Sequence, residues 1–122
     1  MSYETVTEIP GNKATQENLE MLYTRYKWAL QFVEGKDVLE TGCGGGQGLG
    51  YMAKKAKRVV GGDIDENILK YPREYYKDRI KIVNFDAQEL PFEDNSFDVV
   101  ILFETIYYLE NPEKFLKECR RV

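Results

Sequence analysis

Apolar side chains recur at Leu19, Leu22, Tyr23, Tyr26, Ala29, Leu30 and Val33, the three- and four-residue spacing of a helix that buries one face. Thr15 stands where an N-cap belongs and Gly35 where such a helix ends. The residues ahead of it, 1–13 with Pro10-Gly11-Asn12, read as an irregular arm. Val38 and Leu39 then begin a short strand that breaks into glycines, followed by a helix-compatible run at 49–56. A second strand is expected over 57–63 and a third over 79–84. Between them Pro72 predicts a short helix to about Tyr71 and a separate turn through Lys77. Residues 97–103 are almost continuously apolar, the composition of a central strand covered on both faces. A loop over 104–109 precedes a last helix, with Asn111 as cap, Pro112 at its first position and Phe115, Leu116, Cys119 and Val122 at helical spacing. Strands alternating with helices predict an α/β fold with a parallel sheet of about four strands. Residues 1–34 are expected to form the arm and amphipathic helix, and residues 35–122 the core.

Bulk properties narrow the function. At 122 residues the chain is one domain at most. A net charge of −4 argues against nucleic acid as a whole-surface partner. No apolar run approaches the roughly 20 residues that span a bilayer, and Met1-Ser2-Tyr3-Glu4 lacks the features of a signal peptide, so no membrane partner and a cytoplasmic location are expected. Two cysteines, Cys43 and Cys119, make no disulfide framework. The absence of histidine removes the commonest general base and metal ligand, and no metal site is expected.

Five of the ten glycines fall between Gly42 and Gly48, directly after the first strand. The dinucleotide signature G-x-G-x-x-G fails in every register, because its third glycine would be Gln47, Leu49 or Tyr51. No Gly-Lys-Ser/Thr closes a phosphate-cradling loop either. What stands there is Glu40-x-Gly42-x-Gly44-x-Gly46, an acid and alternating glycines. A carboxylate at that place attracts a cationic ligand and repels a pyrophosphate. Asp63 lies 21 positions after Gly42, where a strand–helix–strand unit puts the acid that accepts hydrogen bonds from ribose hydroxyls. Its plain alternative is a cap for the next helix, a role Asp65 fills equally well. Asp86 follows the third strand and is placed for an exocyclic amine such as that of adenine. On the first helix most aromatics read as core, whereas Arg25, for a ligand carboxylate, and Tyr26 are kept as ligand candidates.

Together, Glu40-x-Gly42-x-Gly44-x-Gly46, Asp63, Asp86-Ala87 before Leu90-Pro91-Phe92, and Phe97-Asp98-Val99-Val100 before Asn111-Pro112 resemble the class I S-adenosylmethionine-dependent methyltransferases of the small-molecule, type 11-like kind. The resemblance covers roughly residues 35–122 and implies a Rossmann-like fold with S-adenosylmethionine as cofactor and S-adenosylhomocysteine as product. It implies that Gly42, Cys43, Gly44 and Gly46 border the methionine part, Ile64 and Ala87 the adenine ring, and Phe103 and Glu104 the methionine part or the acceptor. The implied reaction is direct methyl transfer to a small-molecule acceptor, for which a base is optional. Glu104 is the first candidate base, with Tyr107 or Tyr108 second. A module that holds the cofactor without turnover, or a domain acting through a partner, is the alternative. The family's sheet continues past the helix at which this chain stops. The fourth strand is therefore expected either to be covered by further chain or to pair with a second copy in a homo-oligomer.

Overall fold

The computed structural model describes residues 16–103 and 106–122. Four strands, β1 (Asp37–Thr41), β2 (Arg58–Asp63), β3 (Lys81–Asn84) and β4 (Val99–Leu102), form one parallel sheet in the order β3-β2-β1-β4. Parallel neighbours cannot be joined by tight turns, and the crossovers here are α2 (Gln47–Ala53) and α3 (Glu66–Tyr76). The helix α1 (Gln16–Val33) precedes the sheet, and a 3₁₀ turn (Ile106–Tyr108) leads from β4 to α4 (Pro112–Arg121). This is the α/β parallel arrangement that the alternation predicts, and the Rossmann-like fold that the resemblance implies.

Strand alternation sorts side chains into two cores. On one face Val38, Val59 and Ile101 meet Tyr26, Ala29 and Val33 of α1, Leu49 and Met52 of α2, and Leu69 and Tyr76 of α3. On the other, Leu39, Val60 and Val100 meet Phe85, Leu90, Phe92 and Phe97 of the β3–β4 connection, and Val122. Leu39 and Leu49 are fully buried, each worth about 1.5–3 kcal/mol relative to exposure.

Several expectations need correction. Pro72 does not break its helix: α3 runs through it to Tyr76. An interior proline costs about 3 kcal/mol, but this one is fully buried with its ring against Gly46, so packing offsets the lost backbone bond. The second helix begins at Gln47, not 49, because Gly46 turns the chain into it from a left-handed conformation (φ +80°). It ends at Ala53. Arg79 and Ile80 stay outside β3, the Arg79 N–H being taken by the Tyr76 carbonyl at the end of α3. β4 is shorter than residues 97–103, since Phe97 N–H bonds Val122 O and Asp98 clasps Asp37 through main chain and carboxylate. It lies beside β1 as the outermost strand of the sheet, the edge place expected for it, although its composition is that of a strand covered on both faces and only Ile101 is buried. Thr15 and the arm 1–13 lie outside the described residues.

The helix α2 sits close to its neighbours because glycine leaves room. A Cβ at Gly48 would lie 1.9 Å from the Tyr26 ring, which is itself buried and anchored by its hydroxyl. Gly48→Ala should therefore destabilise the fold by about 1–3 kcal/mol despite alanine's better helix propensity. Urea denaturation measures it; an unchanged midpoint would mean that the ring can move aside.

Candidate functional site

The carboxyl ends of β1, β2 and β4, with the loop after β3, surround a cleft of about 330 Å³. Its floor is the glycine loop. Gly42, Gly44 and Gly46 all have positive φ (+68°, +56° and +80°), which side-chain-bearing residues rarely adopt. The loop is tied to β2: Cys43 N–H donates to Gly62 O at 2.9 Å and Gly44 N–H to Asp63 Oδ2 at 3.0 Å. Asp63 Oδ1 accepts the Asp65 N–H at 3.0 Å, while the Asp65 side chain caps α3 by accepting from Asn67 N–H at 3.0 Å. Thus Asp65 does the capping, and Asp63 faces the cleft with both oxygens on main-chain donors. Burial raises the Asp63 carboxyl above its ordinary value of 3.8, the N–H donors opposing it only in part. From α3, the Tyr76 hydroxyl donates to Gly46 O at 2.6 Å and accepts from Gly50 N–H at 3.0 Å, fixing the loop from behind.

Among the described residues Glu40 is the most deeply buried acid. Alternation turns it to the α1 side of the sheet, where it is 1% exposed and borders the cleft. The Tyr26 hydroxyl donates to its Oε2 at 2.5 Å. The Tyr26 ring meets Phe103 edge-on at 5.2 Å, and the Arg25 guanidinium stands 5.9 Å from the same ring. Burial, and then the Glu40 charge, push the Tyr26 phenol well above its usual range. The Cys43 thiol rises likewise, through burial first and then Glu40 and Asp63. Both groups are therefore harder to ionise than an exposed phenol or thiol. The cleft offers carboxylates rather than thiolate, which suits a ligand bearing cationic groups.

At the other end, Asp86 Oδ1 accepts from the Gln88 N–H at 2.9 Å and from Gln88 Nε2 at 3.1 Å. Gln88 Oε1 in turn accepts the Asn111 N–H at 2.5 Å, joining the loop after β3 to the start of α4. Ile64 and Ala87 flank this end of the cleft, and Tyr107 and Tyr108 stand exposed at its mouth. The fold thus brings Arg25, Tyr26, Glu40, Gly42, Cys43, Gly44, Asp63, Ile64, Asp86, Ala87, Phe103 and Tyr107 to one cleft. Gly46 is not among its lining residues; it packs on Pro72 and Tyr76. Glu104 lies outside the described residues. Sequence reasoning missed Gln47, Phe85, Gln88, Leu102, Leu109 and Glu110 in the lining and Tyr76 behind the loop. Only Gln88 left a signal, two positions after an acid where a side chain can fold back on it.

Among the described residues no helix is long and apolar enough to cross a membrane. Residues 39–122 match the sequence model of a family described as a methyltransferase domain. The chain is 43% identical over 88 residues to a probable S-adenosylmethionine-dependent methyltransferase of Mycolicibacterium smegmatis, covering 72% of this chain and 34% of that protein. It is 33% identical over 118 residues to a fatty-acid O-methyltransferase of the same organism, covering 93% of this chain and 43% of that one. Among solved structures, the PH0226 protein of Pyrococcus horikoshii superposes with a TM-score of 0.80 at 32% identity, covering 97% of this chain and 57% of that one. The chain spans between a third and a half of the length of these curated relatives.

The raised Asp63 carboxyl makes a prediction about stability. A carboxyl whose folded value lies above the unfolded one binds more protons when folded, so its contribution is greatest at acid pH and falls as pH rises through the raised value. The stability of wild type relative to Asp63→Asn should therefore decline as pH rises upward from about 4. Urea melts of both proteins at a series of pH values test it; a difference that grows with pH would reverse the sign.

Proposed function

This chain belongs to the methyltransferase domain family, and from that premise we propose that its cleft holds S-adenosylmethionine for methyl transfer to a small-molecule acceptor. The observation that carries this reading is the buried Glu40 carboxylate on the wall of a glycine-floored cleft. A carboxylate shielded from water at the cleft wall attracts cationic groups more strongly than one in bulk solvent, because little solvent screens it. In this proposal Glu40 faces the α-ammonium and sulfonium, and the loop at Gly42 and Gly44 lets the amino-acid part approach the backbone. Asp63 accepts from ribose hydroxyls, since a carboxylate has about four acceptor sites and the main-chain N–H groups of Gly44 and Asp65 take one on each oxygen. Asp86 takes the adenine amine, with Ile64 and Ala87 against the ring.

When bound, that cofactor supplies an electrophilic methyl group on a cationic sulfur. The residues of this chain contribute orientation and exclusion of water, and alignment of reactants can remove about 7–11 kcal/mol of a barrier. Phe103, Tyr107 and Tyr108 give the mouth an aromatic lining, which supports an acceptor with substantial apolar surface. The relative named for fatty acids supports the same class. Tyr107 or Tyr108 is proposed to hold the acceptor's polar atom. We also propose that the outer edge of β4, apolar and without charge or proline, is covered by further chain or by a second copy.

Calorimetry with S-adenosylhomocysteine and with NAD tests the cofactor: binding of the first alone is expected. Gly44→Val should abolish that binding while circular dichroism stays unchanged, because a branched side chain at φ +56° obstructs the loop. A variant that binds normally would refute the placement of the cofactor on this loop.

A further inference from the structure

Tyr26 belongs to α1, yet it meets three other elements at once. Its hydroxyl reaches Glu40 of β1, its ring fills the space that Gly48 of α2 leaves open, and its edge packs on Phe103 just after β4. Each of these contacts restrains the ring, so the hydroxyl is delivered to a fixed point. That point is Oε2 of a buried carboxylate, and both residues border the cleft. A glutamate has three side-chain torsions, and one left to find its own orientation would have to be ordered by each ligand that arrives.

We infer that Tyr26 is a positioning residue which, through its hydrogen bond to Oε2, presents the Glu40 carboxylate in a set orientation to the ammonium of the ligand's amino-acid part. The inference rests on the cofactor reading above and adds a specificity element to it. The tyrosine touches the selecting acid rather than the transferred group, and it lies 14 positions earlier in the chain. A ligand with the adenosine part but no amino-acid part gains nothing from the arrangement, which gives the idea a signature that a general packing role lacks.

The test is calorimetry of wild type, Tyr26→Phe, Glu40→Gln and the double variant against S-adenosylhomocysteine and against 5′-methylthioadenosine, which has no amino-acid part. Phenylalanine keeps the ring contacts with Gly48 and Phe103 and removes only the hydroxyl. Tyr26→Phe should bind S-adenosylhomocysteine about ten-fold more weakly, the scale of one hydrogen bond to a charged group, and 5′-methylthioadenosine within about two-fold of wild type. In the Glu40→Gln background the same change should matter by less than about two-fold, because the two residues act as one unit. Near-ultraviolet circular dichroism reports whether the ring environment is kept. Equal losses for both ligands, an unchanged affinity for S-adenosylhomocysteine, or additive effects in the double variant would each overturn the inference. Should Tyr26→Phe not fold, Glu40→Gln alone must still separate the two ligands, and equal losses there overturn it. Wild type that binds neither ligand would instead bring down the cofactor reading itself.

Discussion

The architecture depends on closing a glycine loop between β1 and β2 without side chains in the way. Cys43 and Gly44 donate main-chain N–H groups to Gly62 and Asp63, so the loop is held against the end of the neighbouring strand. That contact requires α2 to descend close onto the sheet, and a Cβ at Gly61 would meet Leu49 of α2 at 2.6 Å. Glycines in the loop, in α2 and in β2 therefore answer one demand, room for the side chains of Pro72, Tyr26 and Leu49 to press against the backbone. Pro72 and Tyr76 of α3 hold the same loop from the far side. The cleft floor is thus over-determined by packing, which is how a run of small residues can stay rigid.

On that floor the electrostatics follow from burial. Glu40 and Asp63 are drawn out of water by the fold; burial first, and then the charge of Glu40, raise the Tyr26 phenol and the Cys43 thiol, with Asp63 adding to the rise at Cys43. The cleft wall thus carries two carboxylates beside a phenol and a thiol that are both harder to ionise than usual. Asp63 bears a double load, since the oxygens that pin the loop are the ones that face the cleft. The side chain that holds the loop is therefore also one that lines the cleft.

The opposite sheet face holds the far end of the cleft. Arg121 of α4 donates to the carbonyls of Leu90 and Phe92 at 2.9 and 2.7 Å, and Glu118 accepts the Leu90 N–H at 2.8 Å. These bonds brace the connection that starts with Asp86, while Gln88 ties its beginning to Asn111. The last helix therefore supports the site without entering it.

Much of this was legible in the order of residues. Two-residue and three-to-four-residue periodicities place the strands and helices, and an acid at the end of a strand with alternating glycines marks the cleft. Those signals are local, because strand pleat, helix turn and left-handed glycine are set within a few residues. The family resemblance rested on the same marks, and the match over residues 39–122 agrees with it. What lay across space was not legible. Pro72 reads as a helix breaker until Gly46 is found beneath it, and Gly46 reads as a ligand glycine until Pro72 is found above. Asp63 and Asp65 are interchangeable as caps until the loop N–H of Gly44 claims one of them. Tyr76 carried no mark at all, since its role is defined only by the two loop groups that α3 brings to its hydroxyl. Local chemistry determined the elements and the kind of site; tertiary contact alone decided which of several equivalent residues took each part.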